Sequence, residues 1–201
     1  MKKIGVLGGT FDPIHLGHYA LGKAAVDEVS LDKLIVMPAN IQPFKQNKKV
    51  SQDIHRLAMS KLAFQNCPAA EISEYEIEKG DVSYSYDTMS FLKGLYPEDE
   101  LFFVMGTDSF INVDKWYKGG ELLQNFSFIV SSRPGYPEKE LDARIRFYYE
   151  DYGTKIIKLA SKMPDISSTD IRENAIAGKP FKHLVPELVE EYIIKNGLYE
   201  D

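Results

Sequence analysis

Ile4-Gly5-Val6-Leu7-Gly8-Gly9-Thr10-Phe11-Asp12-Pro13-Ile14-His15-Leu16-Gly17-His18 is the stretch on which the reading of the fold turns. The run 4–7 is short, apolar and closed by a glycine pair, the pattern of a buried parallel strand. Residues 17–29 follow with Tyr19, Ala20, Leu21, Ala24, Ala25 and Val29 at helical spacing. A strand, a glycine turn and a helix in that order make the first half of a βαβ unit. Two glycines let backbone pass close to a phosphate and aim amides at it. His15 and His18 stand three apart where the helix begins, so both rings can face one side. A helix start also attracts anions through its free amides and its dipole. Each histidine taken alone would read as structural; their convergence with the glycines favours a site.

Outward from this unit the alternation continues. Strands are predicted at 34–37, around 71–77, and at 101–105, 126–130 and 156–159. Helices are predicted at 52–64, 85–95, 141–149, 168–177 and 186–195. In the second helix Ile54, Leu57, Ala58, Leu62 and Phe64 are expected on or near the buried face. Repeated strand–helix–strand order predicts a doubly wound α/β fold with a mainly parallel sheet. No internal repeat or interdomain linker stands out, and residues 1–201 read as a single domain. Ligands in such sheets bind beyond the carboxyl ends of the strands, so the chemistry is sought there.

The totals narrow the class. The chain has 201 residues and a formal net charge of −6. That acidity disfavours a general nucleic-acid binder, which needs a broad basic face. The N-terminal apolar run is too short for a signal peptide, and no stretch approaches a membrane span. Cys67 is the single cysteine, so it has neither a disulfide partner nor companions for a zinc site; it reads as a small buried residue. A cytoplasmic protein is expected. Gly17 to Ala24 nearly repeats a P-loop, but Ala24 stands where the magnesium-binding hydroxyl belongs and the stretch reads as helix.

The last predicted strand is followed by Ile166-Ser167-Ser168-Thr169-Asp170-Ile171-Arg172. Ser167 or Ser168 can cap a helix, with Asp170 in its first turn, and on this heptapeptide alone a capped helix is the simpler reading. Read together, however, Gly-Gly-Thr-Phe-Asp-Pro-Ile-His-x-Gly-His and Ile-Ser-Ser-Thr-x-x-Arg resemble the two signatures of the HxGH nucleotidyltransferases. The resemblance, closest to the nicotinate-nucleotide branch, runs from residue 3 to residue 199. It implies a Rossmann-like nucleotidyltransferase topology and adenylyl transfer from ATP. Gly8, Gly9, Thr10, Phe11, His15, His18, Ile166, Ser167, Ser168, Thr169 and Arg172 are then expected to bind ATP. His18 would meet the α-phosphate, and His15, Lys45 and Arg172 the flanking phosphates.

Other segments bear on the acceptor. Pro38-Ala39-Asn40-Ile41-Gln42-Pro43-Phe44-Lys45 follows the second strand. Lys45 could set a cation beside phosphate or be a solvated loop lysine; the family has histidine where this chain has Phe44. Thr88 matches a position that in the family faces the nicotinate ring and ribose. Gly106 and Asp108 match a ribose-binding Gly-x-Asp and are counted among the residues expected to bind ATP, although Asp108 could instead cap a helix. Trp116 reads as core or as a plane for a flat pyridine ring. With Tyr117 and Asn40 it is assigned to the acceptor, and Arg133 to the acceptor's phosphate. The resemblance implies ATP and nicotinate mononucleotide as substrates, with Mg2+ carried on the ATP phosphates and no metal cage in the protein. Nicotinamide mononucleotide or 4′-phosphopantetheine as acceptor, and a non-catalytic ATP sensor, are the competing readings. Whether the chain is a homo-oligomer is left open.

Overall fold

The structure is a computed structural model and describes residues 1–41, 50–132, 135 and 137–200. Six strands form one parallel sheet: β1 (Lys3–Gly9), β2 (Lys33–Pro38), β3 (Ala70–Ile72), β4 (Glu100–Gly106), β5 (Ser127–Ser131) and β6 (Ile156–Lys158). Their spatial order is β3-β2-β1-β4-β5-β6, and every neighbouring pair is parallel. This is the doubly wound, Rossmann-like order, with its reversal between β1 and β4.

The central strands are apolar on both faces, as burial under two helical layers requires. Leu7, Leu34, Val36, Phe102, Val104 and Ile129 belong to one core cluster, with Leu21, Ala25, Met59, Ile171, Val189 and Ile193. Those helical residues come from α1 (Leu16–Val29), α2 (Asp53–Phe64), α8 (Ser168–Ile176) and α9 (Glu187–Lys195). Ile4, Val6, Ile35, Met37, Leu101, Phe103, Phe128 and Val130 point the other way. They meet Met89 and Leu92 of α4 (Ser85–Leu95), Leu122 and Leu123 of α6 (Gly119–Asn125), and Leu141 and Tyr148 of α7 (Glu138–Tyr152). The alternation along each strand is the period-two rule carried out in two cores.

Several expectations are corrected. The strand predicted around 71–77 stops at Ile72; Tyr75–Lys79 is the short helix α3, closed by Gly80 in a left-handed conformation. The buried face of α2 is Arg56, Met59, Ser60, Ala63 and Phe64, whereas Ile54 is 67% exposed. The apolar count misplaced that face because an arginine occupies its centre. A helix at Asp108 was allowed for without bounds and is α5 (Thr107–Phe110); the 3-10 turn at Val113–Lys115 and α6 had no counterpart in the reading. The near P-loop is ordinary α1 helix, and Cys67 is buried.

Candidate active site

The strand reversal leaves a crevice at the carboxyl ends of β1 and β4, and two cavities open there. One, of about 370 Å³, is lined by the glycine turn, His15, His18 and the segment Ile166–Arg172. The other, of about 450 Å³, is lined by Met37, Glu76, Thr88, Phe103, Trp116 and Tyr117 among others. Gly8, Gly9, Asp108 and Ser109 line both, so the two volumes share one wall.

The glycine turn is built for close approach. A Cβ on Gly9 would come within 2.6 Å of the Phe11 ring, and one on Gly17 within 3.0 Å of the His15 imidazole. Phe11 itself takes a left-handed backbone (φ 52°) with its ring buried. That conformation is costly for a side chain with a Cβ and persists only where packing imposes it. Phe11 therefore lends the cavity its backbone, while its ring stands edge-on to His18 at 5.0 Å between centroids. Arg56 fixes the turn from beneath. Its guanidinium is fully buried and donates from Nη1 to Thr10 O at 2.7 Å and Ala39 O at 2.6 Å, and from Nε to Ser51 O at 3.2 Å. Its Nη2 pairs with Asp53. One cation thus ties the ends of β1 and β2 to α2.

His15 is the N-cap of α1, and the two histidines cap each other. His15 Nδ1 accepts from His18 N and His18 Nδ1 accepts from His15 N, both at 3.3 Å. Their rings stack at 3.6 Å. An imidazole whose Nδ1 accepts a backbone hydrogen carries its own hydrogen on Nε2. The reciprocal cap therefore sets both tautomers and makes each Nε2 a donor.

The closing motif meets the opening one. Ser167 caps α8 by accepting from Asp170 N at 3.2 Å, and Ser168 Oγ donates to Pro13 O at 2.9 Å. Arg172 Nη1 donates to Asp12 O at 2.6 Å, and Nη2 reaches Thr169 Oγ1 at 3.3 Å. Arg172, Ile166, Ser167, Ser168 and Thr169 all line the cavity that holds the histidines. The start of α8, with its free amides and dipole, opens onto the same space and suits an anion. Asp12 joins the two motifs further. Its Oδ1 accepts from the Tyr199 hydroxyl at 2.6 Å, and its Oδ2 from Ser51 N at 3.3 Å. Burial first, and then the Asp12 carboxylate, raise the Tyr199 phenol well above its ordinary pKa of 10.0.

In the second cavity Thr88 is buried and Trp116 half-buried, edge-on to Phe103 at 6.4 Å. Tyr117 is 47% exposed and lies 4.4 Å from Tyr84 between ring centroids. Asp108 is exposed at the shared wall, in the first turn of α5, whose N-cap is Gly106. Asn40 lines neither cavity; its backbone N donates to Ser83 Oγ at 3.0 Å and its side chain to Asp81 O at 3.1 Å, bracing the wall from behind. Lys45, Phe44 and Arg133 lie outside the described residues. Three structurally prominent residues went unnamed in the sequence reading: Arg56, Glu76 and Tyr199. Among the described residues, no group of three or more His, Cys, Asp or Glu could hold a metal ion, and no helix is long and apolar enough to cross a membrane.

A doubly wound sheet with histidines and a serine–threonine helix around one crevice defines the nucleotidyltransferase class, and residues 6–174 match the family model described as cytidylyltransferase-like. The chain is 41% identical to the nicotinate-nucleotide adenylyltransferase of Bacillus subtilis (strain 168), covering all of both chains. It is 39% identical to a probable nicotinate-nucleotide adenylyltransferase of Thermoanaerobacter sp. (strain X514), over 98% of this chain and 94% of that one. Among solved structures, the Plasmodium falciparum nicotinic acid mononucleotide adenylyltransferase complexed with NaAD superposes with a TM-score of 0.80. That match has 22% identity and covers 100% of this chain and 98% of the other, a likeness of fold. The chain belongs to the nicotinate-nucleotide adenylyltransferase family.

Proposed function

We propose that the protein transfers the adenylyl group of ATP to nicotinate mononucleotide, giving deamido-NAD and pyrophosphate. The observation that carries this reading is the pair of cavities that share Gly8, Gly9, Asp108 and Ser109: one is lined by donors suited to phosphates, the other by aromatic and apolar groups suited to a flat ring. A triphosphate in the first and a pyridine mononucleotide in the second would bring donor and acceptor phosphates together at the glycine turn. Family membership over the whole chain points to the same reaction.

The acceptor's phosphate oxygen attacks the α-phosphorus and pyrophosphate departs from the opposite side. The nucleophile is already an anion, so no general base is required; catalysis reduces to alignment and charge neutralisation. In this proposal the Nε2 hydrogens of His15 and His18 are donors to the phosphate oxygens, with His18 on the α-phosphate. Arg172 and the amides at the start of α8 hold the leaving pyrophosphate, and Gly9 and Thr10 amides assist. Lys45 and Arg133 would add cations from outside the described residues. Mg2+ would come with ATP and neutralise phosphate charge when bound, held chiefly by phosphate oxygens. Asp108 would take ribose hydroxyls, and Trp116 and Tyr117 would flank the ring. Residues 1–201 would work as one catalytic unit, because segments from β1 to α8 line the same space.

Pyrophosphate release from ATP, measured with nicotinate mononucleotide, nicotinamide mononucleotide and 4′-phosphopantetheine in turn, tests the reading. The highest kcat/KM is expected with nicotinate mononucleotide. Release with phosphopantetheine alone, or with none of the three, would overturn it.

A further inference from the structure

Glu76 is a carboxyl group that the adenylyl-transfer chemistry does not use. It sits on the short helix α3, is only 8% exposed, and lines the larger cavity beside Thr88. The Thr88 hydroxyl stands 2.6 Å from Glu76 Oε1, and Ser83 lines the same cavity. Ser83 is held in turn by Asn40 N.

A hydroxyl has one hydrogen. When Glu76 is ionised it can only accept, so Thr88 must spend its hydrogen on Glu76 and can offer a ligand only lone pairs. When Glu76 is protonated the bond can reverse. Glu76 then donates to Thr88 Oγ1 and releases the Thr88 hydrogen toward the cavity. A ligand carboxylate, which accepts only, is matched by the second arrangement; a carboxamide NH2, which donates, is matched by the first. Leaving either mismatch buried would cost the partner its hydrogen bond, the kind of difference from which strong discrimination is built.

We propose that Glu76 is a specificity-determining positioning residue: its proton decides whether Thr88 presents a hydrogen or a lone pair to the pyridine substituent, so preference for an acid over an amide acceptor is coupled to one proton. This rests on the proposed pyridine-mononucleotide reading of the cavity.

The surroundings suit a group that can hold a proton. Burial first raises the Glu76 carboxyl above its ordinary value, opposed by the Thr88 and Ser83 hydroxyls and by Lys79. Lys79, on the same helix, is drawn toward Asp87 of α4, 4.0 Å away. Lys33 of β2, the strand on which α3 packs, is engaged with Glu71 at 2.7 Å. Across the cavity Asp108 and Lys115 are the charged lining residues, with Tyr84 and Tyr117 as its phenols.

The test compares kcat/KM for nicotinate mononucleotide with that for nicotinamide mononucleotide from pH 5 to 9. The ratio cancels titration of the shared phosphate and of the catalytic groups. In the unaltered protein the acid-to-amide ratio should fall with pH above the Glu76 titration, by up to about tenfold per unit for a single proton. Glu76→Gln has no titrating proton at this position, so the ratio should lose its pH dependence. Independently of any variant, calorimetry of the unaltered protein in two buffers of different ionisation enthalpy should show more proton uptake, up to one per site, with the acid than with the amide. A ratio flat with pH in the unaltered protein, an unchanged slope in Glu76→Gln, or equal proton uptake would overturn the inference while leaving the adenylyl-transfer reading standing. Product from neither acceptor would overturn both.

Discussion

His18 and Arg56 separate two ways in which a single residue serves the site. His18 offers a donor to reacting phosphate in the proposed mechanism, so His18→Ala should lower kcat on the order of 10²- to 10³-fold. Its backbone and ring also complete the cap of α1, so a loss of about 1 kcal/mol in urea unfolding should accompany this, with the circular dichroism spectrum retained. An unaltered kcat would remove His18 from the chemistry. Arg56 lines neither cavity but is fully buried under the turn. Arg56→Met deletes donors to two buried carbonyls, Thr10 O and Ala39 O, and should cost roughly 3 kcal/mol of stability. Stability within 0.5 kcal/mol (roughly the scatter of surface substitutions) would mean that the turn does not depend on it. The histidines were legible in the sequence because turn, glycines and rings lie within one contiguous stretch. Arg56 was not, because its partner Thr10 is 46 positions away and an arginine on a helix ordinarily reads as surface. Glu76 escaped for a related reason: a carboxylate in an acidic, turn-rich segment looks solvated until Thr88 folds over it.

Among elements, the C-terminal segment after α9 is the least expected contributor. Tyr199 just beyond α9 reaches Asp12, 187 positions earlier, and so braces the loop that also receives Arg172. Tyr199→Phe should lower stability by about 1–3 kcal/mol, since the buried Asp12 then loses a partner. The pH dependence has a defined sign. The Tyr199 phenol is raised in the folded state above 10.0, so its contribution is whole below pH 10 and is lost as pH rises beyond the unfolded value. The alkaline loss of stability should therefore be shallower in Tyr199→Phe than in the unaltered protein; identical slopes above pH 10 would contradict the assignment. Helix and strand periodicity predicted most of the sheet correctly, since each central strand is a compact apolar run. It failed between β4 and β5, where α5, the 3-10 turn and α6 are too short to show a period, and at β3, where Ser73 and Glu74 break the strand before α3.

On the scale of the whole molecule, strand order does the assembling. Because the sheet reverses between β1 and β4, the turn after β1, the Gly106–Ser109 corner after β4 and the start of α8 after β6 converge on one crevice. Residues 155 to 160 positions apart thereby become hydrogen-bonded neighbours, Ser168 with Pro13 and Arg172 with Asp12. The two motifs could be read from sequence as belonging together, but the bonds that join them could not. The central claim is that this crevice holds a single triphosphate between the histidine turn and the α8 start. The most direct measurement is a crystal structure with a non-hydrolysable ATP analogue and Mg2+. The account predicts the α-phosphate within hydrogen-bonding reach of His18 Nε2 and the remaining phosphates against Arg172 and the α8 amides. An analogue bound with its phosphates away from either group would contradict it.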